Sequence, residues 1–393
     1  MGVLVVDARW SRTVVVLGAA VALVAVGSPA ALAHPPGVTE LVSVSNTGVA
    51  GDADSSLASI SGDGRYVAFW SFASNLVPSD TNGTSDVFVR DRVAGTIERV
   101  SVDSRERQAA GGDQGGVLDT NFGRPVITPD GRFVAFASSA TNLVRRDRNN
   151  AVDIFLRDRV AGTTERVTMA GRKTEANSES SVPAISPDAR FIAFRSFADN
   201  MVPDDTNFTA DVFLLDRQAG TTVRVSVTST GQQADNASGS PAITPDGRFV
   251  VFESSASNLV PGEPEDFASD VYLRDLQAGT TEGISTATTG FVRHSVAPTI
   301  SADGRFVAFQ SWDGGLVPGD TNDRYDIFVF DRATGTYERV SIDSAGGQAD
   351  DDSLGPAMTP DGRFVAFTSL AENLVPGDGN FDSDVFVHDR VTH

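Results

Sequence analysis

The chain of 393 residues contains no cysteine. That excludes disulfide bridges, thiolate catalysis, cysteine-ligated zinc and a lipid anchor on an N-terminal cysteine. It contains one lysine, Lys173, beside thirty arginines, and four histidines: His34, His294, His388 and His393. There is no Gly-x-Ser-x-Gly elbow, no His-Glu-x-x-His helix and no glycine-rich phosphate loop, so hydrolase, zinc-protease and nucleotide chemistry have no motif to stand on. Long apolar runs are also missing. The longest, Thr13 to Gly27, falls short of the roughly 20 residues a bilayer helix needs. With Arg9 and Arg12 before it and Ala31-Leu32-Ala33 after it, this run reads as a secretory signal over residues 1–33, removed before His34. No Arg-Arg pair is present, which points to the Sec route and an extracytoplasmic location.

Positive charge is scarce. The formal net charge is −21, and −22 once residues 1–33 are removed. Nucleic acid and anionic lipid are therefore excluded as partners, whereas cations or a protein with a basic segment are allowed.

What the chain does have is one segment repeated six times. The arginine that follows an Asp-Gly (once Asp-Ala) turn falls at Arg65, Arg132, Arg190, Arg248, Arg305 and Arg363, in steps of 67, 58, 58, 57 and 58 residues. A fixed period of this size signals one supersecondary unit copied. Each unit splits into four short segments rich in β-branched and aromatic residues, as at 298–301, 305–309, 326–329 and 337–342. The middle two are apolar on both faces and the fourth is polar. This predicts an all-β, six-bladed β-propeller of four-stranded antiparallel blades over residues 34–393, with blades starting near 55, 122, 181, 239, 296 and 354. Sixteen of the 24 phenylalanines occupy three aromatic positions present in all six units, which assigns them to blade packing. Tight turns join the first two strands. Ala189 stands where the other five blades have glycine, which suggests that positive φ is not obligatory there.

The last unit lacks a fourth strand. The opening text, Val38 to Val44, matches Thr96 to Val102, so residues 38–46 are expected to pair into the last blade and close the ring. The recurring text Ser186-Pro187-Asp188-Ala189-Arg190-Phe191 and Thr359-Pro360-Asp361-Gly362-Arg363-Phe364 resembles the WD-repeat-like module of TolB-type propellers. That resemblance implies a six-bladed, periplasmic, protein-binding scaffold. TolB carries an α/β domain ahead of its propeller, for which residues 1–46 leave no room, so the fold carries over and the translocation role does not.

Candidate sites lie in the long loops between the second and third strands. They carry Asp80, Asn82 and Asp86; Asp147, Asn149 and Asp153; Asp205, Asn207 and Asp211; Asp320, Asn322 and Asp326; Asp378, Asn380 and Asp384. Hard oxygen donors on a turning backbone suit calcium, although an EF-hand's glycine and twelfth-position glutamate are absent. The alternative is an Asx turn that caps the loop. A second set, Asp86/Asp91 and its equivalents through Asp384/Asp389, flanks the third strand in every blade, and the repeated arginine is expected to pair with one of the two. Acidic inter-blade loops at 51–54, 233–236 and 348–352 would ring the channel mouth. Trp70 and Trp312 read as surface contacts, His294 as structural, and the irregular stretches 105–124 and 282–294 as places for partner contact. The sequence thus leads to a monomeric, non-catalytic scaffold binding a protein or other ligand on its acidic loop face, with calcium ordering the loops. The rival is a calcium-dependent propeller enzyme of lactonase or polysaccharide-lyase type.

Overall fold

The computed structural model describes residues 40–110, 123–171, 174–262, 268–285, 294–378 and 382–391. They form β-sheet and turns, with no helix. Six antiparallel sheets follow one another as propeller blades, each meandering outward in sequence order. Blade 3 shows the pattern: Ser180–Ile185, Phe191–Ser196, Asp211–Asp216 and Thr221–Arg224. Blades 1 to 5 have four strands, and blade 6 has three among the described residues. A two-stranded hairpin, Met169–Ala170 with Thr174–Glu175, is added between blades 2 and 3.

The repeated aromatics hold the blades as expected. In each blade the second and third strands place two rings directly opposite, as with Phe194 and Phe213 at 5.9 Å. Both are fully buried. One face of blade 1 (Trp70, Val87, Val89) packs on Val134, Phe136 and Phe155 of blade 2, and the same arrangement recurs to blade 6. The remaining aromatic, at the start of the second strand, lies between two arginines. Tyr66 has Arg65 at 4.8 Å and Arg159 of the next blade at 4.4 Å. The next blade's tight turn sits on the same ring. A Cβ on Gly131 would come within 2.1 Å of Tyr66, so glycine is required there by packing as well as by its φ of 70°. Ala189 corrects the expectation about this turn: it is buried and keeps a φ of 54°. Where it stands, Arg217 lies 5.6 Å from the Phe133 ring, against 4.3–4.7 Å in its counterparts.

A glutamate on the outer strand of blades 1, 2, 4 and 5 clamps an arginine of the following blade. Glu98–Arg159, Glu165–Arg217, Glu282–Arg332 and Glu338–Arg390 lie at 2.5–3.0 Å. The blade 3–4 boundary lacks this clamp, because Val223 replaces the glutamate and Leu276 the arginine.

The described part of the opening segment, residues 40–46, lies against blade 1. Glu40 pairs with Arg92 at 2.9 Å, Asn46 accepts the Ile97 N–H at 2.6 Å, and Val42 joins the apolar face of Val67, Phe69 and Phe88. It thus covers blade 1 as a preceding outer strand would. Its expected ladder with Asp384–Asp389 falls partly on residues 38 and 39, outside the described residues. On that strand Val385 and Val387 are 76% and 65% exposed, whereas the equivalent Val87 and Val89 are buried.

Candidate functional site

The third strand of every blade begins and ends with aspartate, and the two ends lie on opposite faces. At the tight-turn end the expected ion pair forms six times: Arg65–Asp91, Arg132–Asp158, Arg190–Asp216, Arg248–Asp275, Arg305–Asp331 and Arg363–Asp389, each at 2.7 Å. The guanidinium forks onto both carboxylate oxygens, as Arg190 does at 3.1 and 2.7 Å. The aspartate also accepts backbone N–H groups of its own turn, such as Gln218 and Ala219 on Asp216. These bonds, led by the arginine's, hold Asp216, Asp275, Asp331 and Asp389 down at about 2. The pairs are not buried, since the arginines are about half exposed.

At the long-loop end the aspartate is fully buried in blades 1, 2, 3 and 5, and its partners come from the chain itself. Asp211 accepts from the Ser226 hydroxyl at 2.6 Å and from the amides of Gln233 and Asn207 at 2.9 and 3.3 Å. Arg224, from the outer strand, lies against Asp205 and Asp211 at 3.4 and 3.7 Å. Blade 1 repeats this with Asp80, Asn82, Asp86, Arg99, Ser101 and Gln108. Blade 5 repeats it with Asp320, Asn322, Asp326, Arg339, Ser341 and Gln348. Blade 2 does so with Asp147, Asn149, Asp153, Arg166 and Thr168, and Glu175 takes the glutamine's place. Burial, the leading cause, pushes Asp147 and Asp326 up to about 6 and raises Asp80, Asp153 and Asp211.

In blades 1, 2, 3 and 5 these donors do not fit calcium. An arginine occupies the space between the two carboxylates in blades 1, 2, 3 and 5. The asparagine turns its NH2 toward the aspartate, while its carbonyl oxygen accepts a loop N–H (Asn207 from Thr209 at 3.2 Å). The loop is therefore an Asx turn fastened to an ion pair. In blade 4 Gly283 stands in place of the arginine, and the loop residues 263–267 lie outside the described residues; Asp270 keeps the Ser285 hydroxyl at 2.9 Å. In blade 6 Asp378 and Asp384 remain on this face, and Asn380 lies outside the described residues.

The acidic inter-blade loops serve the same architecture. Asp52 accepts from Ser74 and Asp235 from Ser257, at 2.7–2.9 Å. His294 accepts the Ser269 N–H at 3.2 Å, a structural contact. Trp70 corrects its expectation: it is buried and its indole N–H reaches the Gly123 carbonyl of the next blade at 3.4 Å. Trp312 is 47% exposed. Of the irregular stretches, 111–122 and 286–293 lie outside the described residues.

Blade individuality concentrates elsewhere. One position near the end of the second strand reads Trp70, Ala137, Arg195, Glu253, Gln310 and Thr368, a different residue in every blade. Two residues on come Phe72, Ser139, Phe197, Ser255, Trp312 and Leu370. Their neighbours within the strand are nearly invariant. These positions pair with the start of the innermost strand. In every blade but the second, the innermost strand there carries a bulge whose residue has positive φ: Leu57 53°, Val182 51°, Ser240 46°, Ala297 54° and Gly355 62°. Such strain in non-glycine residues persists only where surroundings impose it. First and second strands of blades 3 to 6 converge on a cavity of about 580 Å³ lined by Arg195, Ser240, Glu253, Gln310 and Gly355. Just past the end of the second strand Phe72, Phe197, Trp312 and Leu370 are two-fifths or more exposed.

No protein-family model matches the chain, and no curated protein does. Among solved structures it is similar to a puromycin-hydrolysing peptidase from Mycobacterium tuberculosis, at 15% identity over 89% of this chain and 47% of that one, TM-score 0.52. It is also similar to a structure reported in a study of two prolyl endopeptidases, at 12% identity over 86% of this chain and 42% of that one, TM-score 0.51. A putative TolB from Agrobacterium tumefaciens matches at 17% identity over 86% and 90% of the two chains, TM-score 0.44. The chain spans 58% of the TolB from Acinetobacter baumannii and less than half of either peptidase structure. Similarity at these identities establishes the β-propeller fold and nothing finer.

Proposed function

We propose that this chain is an exported, non-catalytic propeller scaffold that binds a protein or other ligand at the axial mouth of its long-loop face. One observation carries the reading. At one strand position blades 3, 4 and 5 place Arg195, Glu253 and Gln310 on the axial cavity, while Trp70 and Ala137 at the same position are buried between blades. Three different polar side chains converging on one cavity, on a scaffold whose blades are otherwise near copies, suit a binding surface. The exposed aromatics past the end of that strand support the same reading, since Phe72, Phe197 and Trp312 offer rigid contact area. The loop carboxylates, engaged with arginines and amides, serve as the frame of this mouth. The calcium-enzyme alternative loses its motive with them.

The test is capture from a cell-envelope fraction with wild type and with Phe197→Ala/Trp312→Ala. Retention by wild type and loss by the variant, with unchanged melting, is the expected result. Equal retention by both would refute the site. Turnover of a lactone or polyuronate that is abolished by chelator would favour the enzyme.

A further inference from the structure

At the bulges of blades 5 and 6 a backbone N–H on the cavity finds its acceptor in the preceding blade. Glu253 of blade 4 accepts the Ala297 N–H of blade 5 at 3.0 Å. Gln310 of blade 5 accepts the Gly355 N–H of blade 6 at 2.7 Å. The equivalent side chain for the Ser240 bulge of blade 4 is Arg195 of blade 3. It reaches the right place, since a Cβ on Gly239, next to Ser240, would lie 3.2 Å from Arg195 Cδ. But a guanidinium has only donors and cannot accept a backbone N–H.

Among the described residues Arg195 makes no ion pair and no hydrogen bond. It lies over the Phe197 ring at 4.5 Å. Glu253 accepts the Ala297 N–H, and it and Glu179 act on the Arg195 guanidinium only at longer range. Arg124, exposed at the corresponding position of blade 2, has no polar partner among the described residues. Burial lowers Arg195 from its ordinary value. In a chain of net charge −21, a partly buried arginine with no carboxylate in direct contact departs from the rule that buried charges are paired.

We infer that Arg195 and the Ser240 bulge form a subsite for a carboxylate carried by the ligand. This rests on the axial-mouth reading above and specifies the chemistry of that site. The carboxylate would fill the role that Glu253 plays one blade further on: one oxygen on the bulge N–H, the other on the guanidinium fork. A monoanion suits the place better than a phosphate dianion, given the acidity of the whole chain. A peptide C-terminus and a uronic acid share this chemistry.

Two probe pairs separate the sources: acetyl-Gly-Ala-Phe as free acid and as amide, and galacturonate against galactose. Each is titrated calorimetrically against wild type, Arg195→Gln and Arg195→Lys. One acid is expected to bind, its neutral counterpart to bind at least about tenfold more weakly, and Arg195→Gln to remove the difference while Arg195→Lys keeps part of it. The pair that discriminates names the source. Failure of both acids to bind up to ~10 mM, equal binding of acid and neutral forms, or binding indifferent to Arg195→Gln would overturn the inference. Envelope capture with Arg195→Gln and with Trp312→Ala distinguishes the two levels. Loss with Trp312→Ala alone leaves the mouth as the site and discards the carboxylate; retention by both discards the mouth as well.

Discussion

The two ends of the third strand carry the same residue type in opposite circumstances. At the tight-turn end the aspartate meets a half-exposed arginine and its own turn's N–H groups, and is held down at about 2. At the long-loop end of blade 3 it is fully buried among a hydroxyl, two amides and an inner arginine, and burial pushes it up, as it does to about 6 in blade 5. The first end is complete in all six blades. The second loses its arginine where blade 4 has Gly283. Solvent decides the difference: an exposed pair tolerates imperfect partners, and a buried carboxylate depends on all of them.

The contrast is open to attack in order of expected effect. Phe194→Ala, between the two ends and touching neither, should cost about 3–5 kcal/mol by urea denaturation and sets the scale of a core defect. Asp211→Ala leaves Arg224 with only one of its two carboxylates and takes the buried acceptor from Ser226 and Gln233, and should cost about 3–5 kcal/mol; a loss under ~1 kcal/mol would show that water reaches the network. The two ends should also respond oppositely to pH. Asp147 and Asp326 stay protonated in the native state up to about 6, while the unfolded chain has released those protons above its ordinary 3.8. Their contribution to stability therefore falls as pH rises between these values and levels off above. The depressed carboxylates Asp216, Asp275 and Asp331 contribute stability that is complete above 3.8 and lost as pH falls toward 2. Denaturation midpoints across pH 2–8 should show a maximum near the crossover, and Asp326→Asn should flatten its alkaline side. Asp216→Asn at the exposed end should cost only ~0.5–1 kcal/mol. The smallest effect is expected from calcium, whose addition or chelation should leave the melting temperature unchanged; a rise with calcium would mean that the inner arginines yield their carboxylates.

Much of this was legible in the residues. The period, the three aromatics per unit and the Asp-Gly-Arg turn specify blades because each is a packing requirement repeated six times, and the Arg–Asp pairs at the turn follow from strand register. What the calcium expectation did not take into account is the outer strand's arginine, Arg99 and its equivalents, which reads in sequence as a solvent-facing polar residue. Only register shows it crossing to Asp80 and Asp86. A signal existed: blade 4 breaks the Asp-x-Asn loop and loses the arginine together. The axial positions were visible as variation, but their direction was not, because the bulges that aim them fall on Leu57, Val182 and Ser240 rather than on glycine. Arg124 lay hidden in a stretch without repeat pattern.

The missing clamp between blades 3 and 4 has a mechanical consequence. Every other described blade boundary is riveted at its periphery by a glutamate–arginine pair, and this one relies on apolar contact around Leu276. A shearing or prying load on the disc would find its hinge there, and that is the boundary at which Arg195 meets Ser240. The joint most easily spread is thus also the one whose spreading would admit a guest.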